Sequence, residues 1–183
     1  MSYSYKGKIL ISTPDIMGDI FSRAVVLIIE HNDEGAFGLI LNKKSEALSE
    51  NVSEFLEYDT EIYEGGPVEK ERYFFIVKNH EDISPKATRI NDEFFFTEDM
   101  QAVISALTQE KIHLDEIKAF SGYSGWSALQ LDKEVDNKLW TVVDVYNLDY
   151  TFPNDHTLWK SIMQNLGGEY LLWANSPSNI YLN

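Results

Sequence analysis

Ser124 lies in the stretch FSGYSGWSALQLDKEV, residues 120–135, where an apolar approach, two glycines and a hydroxyl precede a helical pattern. A hydrolase nucleophile turn has that order, with G-x-S-x-G exposing a serine at a strand-to-helix bend. Here Gly122-Tyr123-Ser124-Gly125 puts the second glycine one position early. A nucleophilic serine also needs a histidine and a carboxylate, and no local pattern singles out His31, His80, His113 or His156. The stretch reads better as structure. Gly122 and Gly125 let the backbone turn from strand to helix, and Ser127 with Gln130 fits an S-x-x-Q capping box. Trp126 and Gln130 then share the polar side of the helix with Lys133 and Glu134, while Ala128, Leu131 and Val135 face the core. An indole so placed is either covered by another segment or offered to a ligand.

Two further stretches could do chemistry. EGGPVEKER, 64–72, places Gly65, Gly66 and Pro67 ahead of Arg72. The glycines permit close approach of a backbone or a ligand, and a guanidinium fork suits a carboxylate or phosphate. EHNDEG, 30–35, gathers Glu30, His31, Asn32, Asp33 and Glu34. Alternate residues at a strand end point in opposite directions, so a solvated hairpin loop is expected there rather than a metal site. P-loop, dinucleotide, zincin and EF-hand patterns are absent, so no cofactor or metal is expected.

The elements that must position these residues follow from apolar patterning. Strands are expected at 6–12, 24–30, 36–42, 61–67, 72–78, 116–122 and 139–144, with a second hairpin over 88–96. Helices are expected at 52–56 behind Asn51, at 98–107 behind Thr97 with a stripe of Met100, Val103, Ile104 and Leu107, from the Gly125 turn to about 137, and at 155–166. Asn154 or Asp155 starts the last of these and Gly167-Gly168 ends it. The tail ANSPSNIYLN reads as polar and loosely held. Hairpins mixed with strand–helix units predict an α/β or α+β fold, a single domain over 1–183 with a mixed, partly curled sheet flanked by helices.

Composition narrows the function. Apolar residues make up 44% of 183, ample for a core without staples. The chain has no cysteine, which excludes thiol catalysis, disulfides and iron–sulfur clusters. No stretch approaches a membrane span or a secretory leader, so a soluble cytoplasmic protein is expected. Fifteen basic against 30 acidic residues give a net charge of −15. That charge repels phosphate backbones and argues against direct nucleic-acid binding.

Three blocks together resemble the AlgH/YqgE family: ISTPDIMGDIFSRAVVLIIEHNDEGAFGLILNK, IYEGGPVEKER and GYSGW followed by Gln130 and Trp140. The likeness weakens after about residue 145. It implies one compact domain around a mixed sheet, in a bacterial cytoplasmic family often labelled a transcriptional regulator on genetic grounds, with no established reaction or ligand. The sequence departs from the family pattern at Lys44, at Lys78, and at Ser127 and Leu129, where the family helix often begins with glycines.

The leading expectation is a non-catalytic binding or regulatory protein that recognises a small polar ligand or a protein partner. The expected site is a groove where 64–67 meets 122–126. Gly65, Gly66, Pro67, Gly122 and Gly125 would give backbone access, Tyr123 and Trp126 a flat wall, and Arg72, Gln130, Glu30, His31 and Asn32 polar contacts. A hydrolase using Glu30 or His31 as base in that groove is the alternative, and direct DNA binding, implied only by the family label, is a third.

Overall fold

The run Val25–Asn32, VVLIIEHN, has apolar residues at successive positions. Such a strand is stable only where both sheet faces are covered, and Val25 to Ile28 are fully buried. The computed structural model describes residues 3–14, 16 and 19–176, so the end of the polar tail, from 177, lies outside the described residues. Its strands are β1 (Ile9–Ser12), β2 (Val25–Asn32), β3 (Gly35–Ile40), β4 (Lys44–Ser45), β5 (Ile62–Glu64), β6 (Val68–Lys78), β7 (Thr88–Arg89), β8 (Phe94–Thr97), β9 (Ile117–Ser127) and β10 (Trp140–Val143). They form one curled sheet in the order β10-β1-β2-β3-β9-β6-β8-β7, with β4 and β5 attached beside β9. The β5–β9 pair is parallel and the other pairs are antiparallel, as a mixed sheet requires.

The helices are α1 (Glu46–Leu56), α2 (Met100–Thr108), α3 (Gln130–Asp136), α4 (Thr157–Leu166) and α5 (Tyr170–Ala174). Side chains of α4 and α5 fill the inner face of the sheet, where Trp159, Ile162 and Met163 pack with Leu27, Phe74 and Phe120. On the outer face Leu131 of α3 packs with Val26, Ile28 and Trp126. Val103 of α2 and Leu48 and Val52 of α1 pack there too, with Phe75 and Ala119.

Two local irregularities decide which residue faces which side. In β2 the register with β3 shifts between Ile28 and Glu30. An extra residue in one strand changes the phase of the alternation, so His31 pairs with Ala36 on the outer face and Glu30 with Phe37 on the inner one. In β9 Gly122 has φ +70°, a conformation glycine adopts without strain. Before it Phe120 points inward and Ala119 outward; after it Tyr123 points inward and Trp126 outward.

Several boundaries differ from the sequence expectation. Helix α1 begins at Glu46, capped by Ser45, whose side chain accepts from the Leu48 N–H, rather than behind Asn51. Asp99, not Thr97, caps α2 by accepting from the Ala102 N–H. The expected strand–turn–helix at 122–126 is a continuous strand: β9 runs through to Ser127, because Gly125 and Trp126 pair with Phe37 and Ala36 of β3. Helix α3 starts only at Gln130, leaving Ala128 exposed rather than facing the core.

Candidate functional site

The segments 64–67 and 122–124 do meet, backbone against backbone. Gly65 donates its N–H to the Ser121 carbonyl at 2.9 Å, and its own carbonyl accepts from the Ile40 N–H at 2.9 Å. Ser124, fully buried, donates its hydroxyl to the same Gly65 carbonyl at 3.0 Å. A Cβ on Gly65 would stand 2.4 Å from the Gly122 carbonyl oxygen, and one on Gly66 2.1 Å from that of Tyr123. The glycines therefore serve chain-to-chain packing, and the concavity expected between these segments is filled by their own main chains. Ser124 is not a turn residue but a strand residue that ties β9 to this packing.

The remaining expected site residues divide between the two faces of the sheet. Tyr123 packs inward, within 4.7 Å of the Phe37 ring centroid. Trp126 points outward, so the two cannot form one wall. Glu134 covers the indole side: it accepts from Trp126 Nε1 at 2.6 Å and from Trp140 Nε1 at 3.3 Å. Gln130 accepts from the Ser127 N–H at 2.9 Å, one half of the expected capping box. Arg72 lies on the exposed bulge of β6 and ion-pairs with Glu69 and Glu98, so its fork is occupied by the protein's own carboxylates. Pro67 is exposed.

His31 is enclosed, its side chain 1% exposed. Its Nδ1 accepts from the Tyr5 N–H at 2.9 Å, which assigns the proton to Nε2, and Nε2 faces Asp132 Oδ2 at 3.4 Å. The Tyr5 ring stacks on the imidazole at 5.2 Å. Glu30, on the other face, pairs with Lys6 at 3.0 Å, and Asn32 closes the hairpin turn by accepting from the Glu34 N–H. Both ring nitrogens of His31 thus have partners within the fold, and Glu30 is turned away from it. Among the described residues, no group of three or more His, Cys, Asp or Glu could hold a metal ion.

An open groove of about 1300 Å³ lies elsewhere, on the outer face over β5, β9 and β6 and continuing round the end of the sheet to Lys78, Lys118, Asp149 and Phe152. Its walls are α1, through Leu48, Val52 and Phe55, and α2, through Met100, Ile104 and Leu107; Tyr73, Phe75 and Ala119 contribute to the floor. Of the expected apolar stripe on α2 only Val103 is fully buried: Met100 is 39% and Ile104 44% exposed, and Phe55 on the facing helix is 85% exposed. A helical stripe has the same period whether it faces a core or an open channel. The missed signal was a second stripe, Leu48, Val52 and Phe55, ending on FLEY, apolar residues with no further element to cover them.

One end of the groove is acidic for a topological reason. Strands β5 and β9 run parallel with Ile62 opposite Ala119, so their leading segments emerge together. These carry Asp59 and Glu61 on one side and Asp115 and Glu116 on the other. Hydrogen bonding from the His113 N–H outweighs the opposing effect of burial and, with a lesser contribution from His80, holds the Glu116 carboxyl below its ordinary range. Asp149 also lines this end; burial pushes its carboxyl up, but hydrogen bonds from Thr151 and Lys78 outweigh that and hold it low. Lys78 is engaged with Asp149 at 3.0 Å. Lys118 is 3% exposed and donates to the Leu41 and Phe152 carbonyls at 2.6 and 2.8 Å, with its ammonium 4.0 Å from the Tyr63 ring centroid. Burial pushes its amine down to about 7. Asp59 and Asp115 have no cationic partner within salt-bridge distance among the described residues.

Known proteins resemble this chain along nearly its whole length. A family model described as AlgH-like matches residues 9–171. A UPF0301 protein of Cytophaga hutchinsonii is 34% identical over 97% of this chain and 98% of its own, and one of Parabacteroides distasonis is 35% identical over 97% and 91%. The solution structure of the AlgH protein from Pseudomonas aeruginosa shares the fold, with a TM-score of 0.70 at 23% identity over 97% of each chain. An X-ray structure of a Corynebacterium diphtheriae protein does so with a TM-score of 0.72 at 21% identity, over 96% of this chain and 94% of the other. No helix among the described residues is long and apolar enough to cross a membrane.

Proposed function

This chain belongs to the AlgH-like family, and from that premise we propose that it is a non-catalytic binding protein whose recognition site is the groove between α1 and α2. One observation carries the reading: two helices on one sheet face turn apolar side chains toward each other and leave the space between them open, with Phe55, Met100 and Ile104 exposed. Exposed apolar patches of this kind mark interaction sites. A cytoplasmic location and a regulatory role exerted through a partner belong to the same reading and rest on the sequence. A hydrolytic role for Glu30 or His31 lacks comparable support, since both are engaged in holding the N-terminal segment. Direct DNA binding is opposed by the net charge of −15.

Titration of methyl-labelled protein with octanol, followed by NMR, tests the site. Shifts are expected at Leu48, Val52, Ile104 and Leu107, and Phe55→Asp and Ile104→Asp should each weaken them several-fold. Shifts concentrated instead around Gly65, Gly122 and Trp126 would return the site to the glycine segments and overturn this reading.

A further inference from the structure

We infer that the natural occupant of the groove is an amphipathic α-helix of a protein partner, apolar along one face and basic at the end that meets Asp59 and Asp115. The inference rests on the groove being a binding site and names what fills it.

Size argues first. Pockets for small molecules enclose roughly 300–1,000 Å³, and the cavity that contains this channel and continues round the sheet end to Lys118 and Phe152 holds about 1300 Å³. Its walls are helices of 11 and 9 residues, about 13–16 Å long at 1.5 Å per residue. A channel of that length between two helices, floored by a sheet, matches two to three turns of a third helix laying its apolar face inward.

Charge then selects the partner. The loops that follow α1 and α2 bring Asp59, Glu61, Asp115 and Glu116 to one end. Neither helix has a basic residue in its last turn, so the partial negative charge of their C-terminal carbonyls is not offset locally. Lys78 and Lys118, the lining cations, are engaged with Asp149 and with main-chain carbonyls. Glu61 is held by Lys44 at 3.3 Å and Glu116 by His80 at 3.1 Å, so an incoming Lys or Arg would meet the carboxylates of Asp59 and Asp115, whereas an incoming acid would meet repulsion. The same reasoning opposes a second copy of this chain, which would bring its own acidic end and a further charge of −15.

Three synthetic helical peptides of equal length on the full chain test this: leucine with lysine, leucine with glutamate, and a lysine peptide whose leucines are replaced by serine. The leucine–lysine peptide is expected to shift groove methyls and to bind at least tenfold more tightly than either control. Ile104→Asp should weaken it at least tenfold. Both positions being exposed, Asp59→Lys with Asp115→Lys should fold and should reverse the preference toward leucine–glutamate. Equal binding of the first two peptides, binding of the serine–lysine control as tight as leucine–lysine, or a preference that survives the charge reversal would overturn the inference. If octanol shifts the groove methyls and no leucine peptide does, the helical occupant is wrong while the binding groove stands. If neither does, both fall.

Discussion

Gly66 lies against Tyr123 so closely that a Cβ added to it would stand 2.1 Å from the Tyr123 carbonyl carbon and oxygen. The obstructing atoms belong to the main chain of β9, which is held on both sides by β3 and β6 and cannot swing aside as a side chain would. Gly66→Ala should therefore destabilise the fold by at least about 3 kcal/mol, at the severe end of overpacking. Urea unfolding followed by circular dichroism measures it. A loss below about 1 kcal/mol would mean that this contact relaxes in solution, leaving room beside Gly66 after all.

Leu129 adopts φ +63° ahead of α3, a left-handed conformation that costs a non-glycine residue about 1 kcal/mol or more. Its side chain is 53% exposed, so little packing offsets that cost. Leu129→Gly should raise stability by up to about 1 kcal/mol, as an upward shift in the thermal midpoint. An unchanged or lower midpoint would show that the leucine makes contacts in solution that offset the strain, or that the glycine's extra freedom in the unfolded chain cancels the gain.

Most of the sheet was legible because burial on both faces forces an apolar run, as in Val25–Ile29, and because Asn91-Asp92 and Gly167-Gly168 carry turn and cap chemistry. The path of β9 was not. Two glycines around a serine look alike in a strand-to-helix bend and in a strand whose alternation shifts at Gly122; only the pairing of Gly125 with Phe37 distinguishes them, and that is a contact between residues far apart in the chain. The division of the expected site between two sheet faces has the same origin, since it depends on irregularities at Ile28–Glu30 and Gly122. The groove was legible only in part: the α2 stripe was visible, but a stripe does not say whether anything covers it.

If the groove is open in solution, the exposed rim of its walls should tolerate change where their buried side does not. Phe55 is 85% exposed and Val103, on the facing helix, 2%. Phe55→Ser should alter stability by no more than about 0.5 kcal/mol, as exposed substitutions usually do. Val103→Ala should cost about 1.5–3 kcal/mol through lost burial and the cavity left behind. A large loss at Phe55 would show that the two walls close on each other in the free protein, and would remove the open channel from the functional reading.

Lys118 gives the fold a pH dependence that can be isolated. In the unfolded chain its amine holds a proton up to about 10.5, whereas in the folded protein burial brings that to about 7. Below about 7 both states are protonated and the folded protein bears the full burial penalty. Between 7 and 10.5 the unfolded state binds more protons, so the free energy of unfolding rises with pH, by at most about 1.4 kcal/mol per unit. From pH 7 to 9 the native protein should gain on the order of 2 kcal/mol relative to Lys118→Met, whatever constant offset that substitution adds by removing the bonds to Leu41 and Phe152. Urea titrations of both proteins at pH 7, 8 and 9 read the difference in slope. Parallel slopes would show that Lys118 keeps its proton throughout, its charge sustained by the two carbonyls and the Tyr63 ring more strongly than desolvation opposes it.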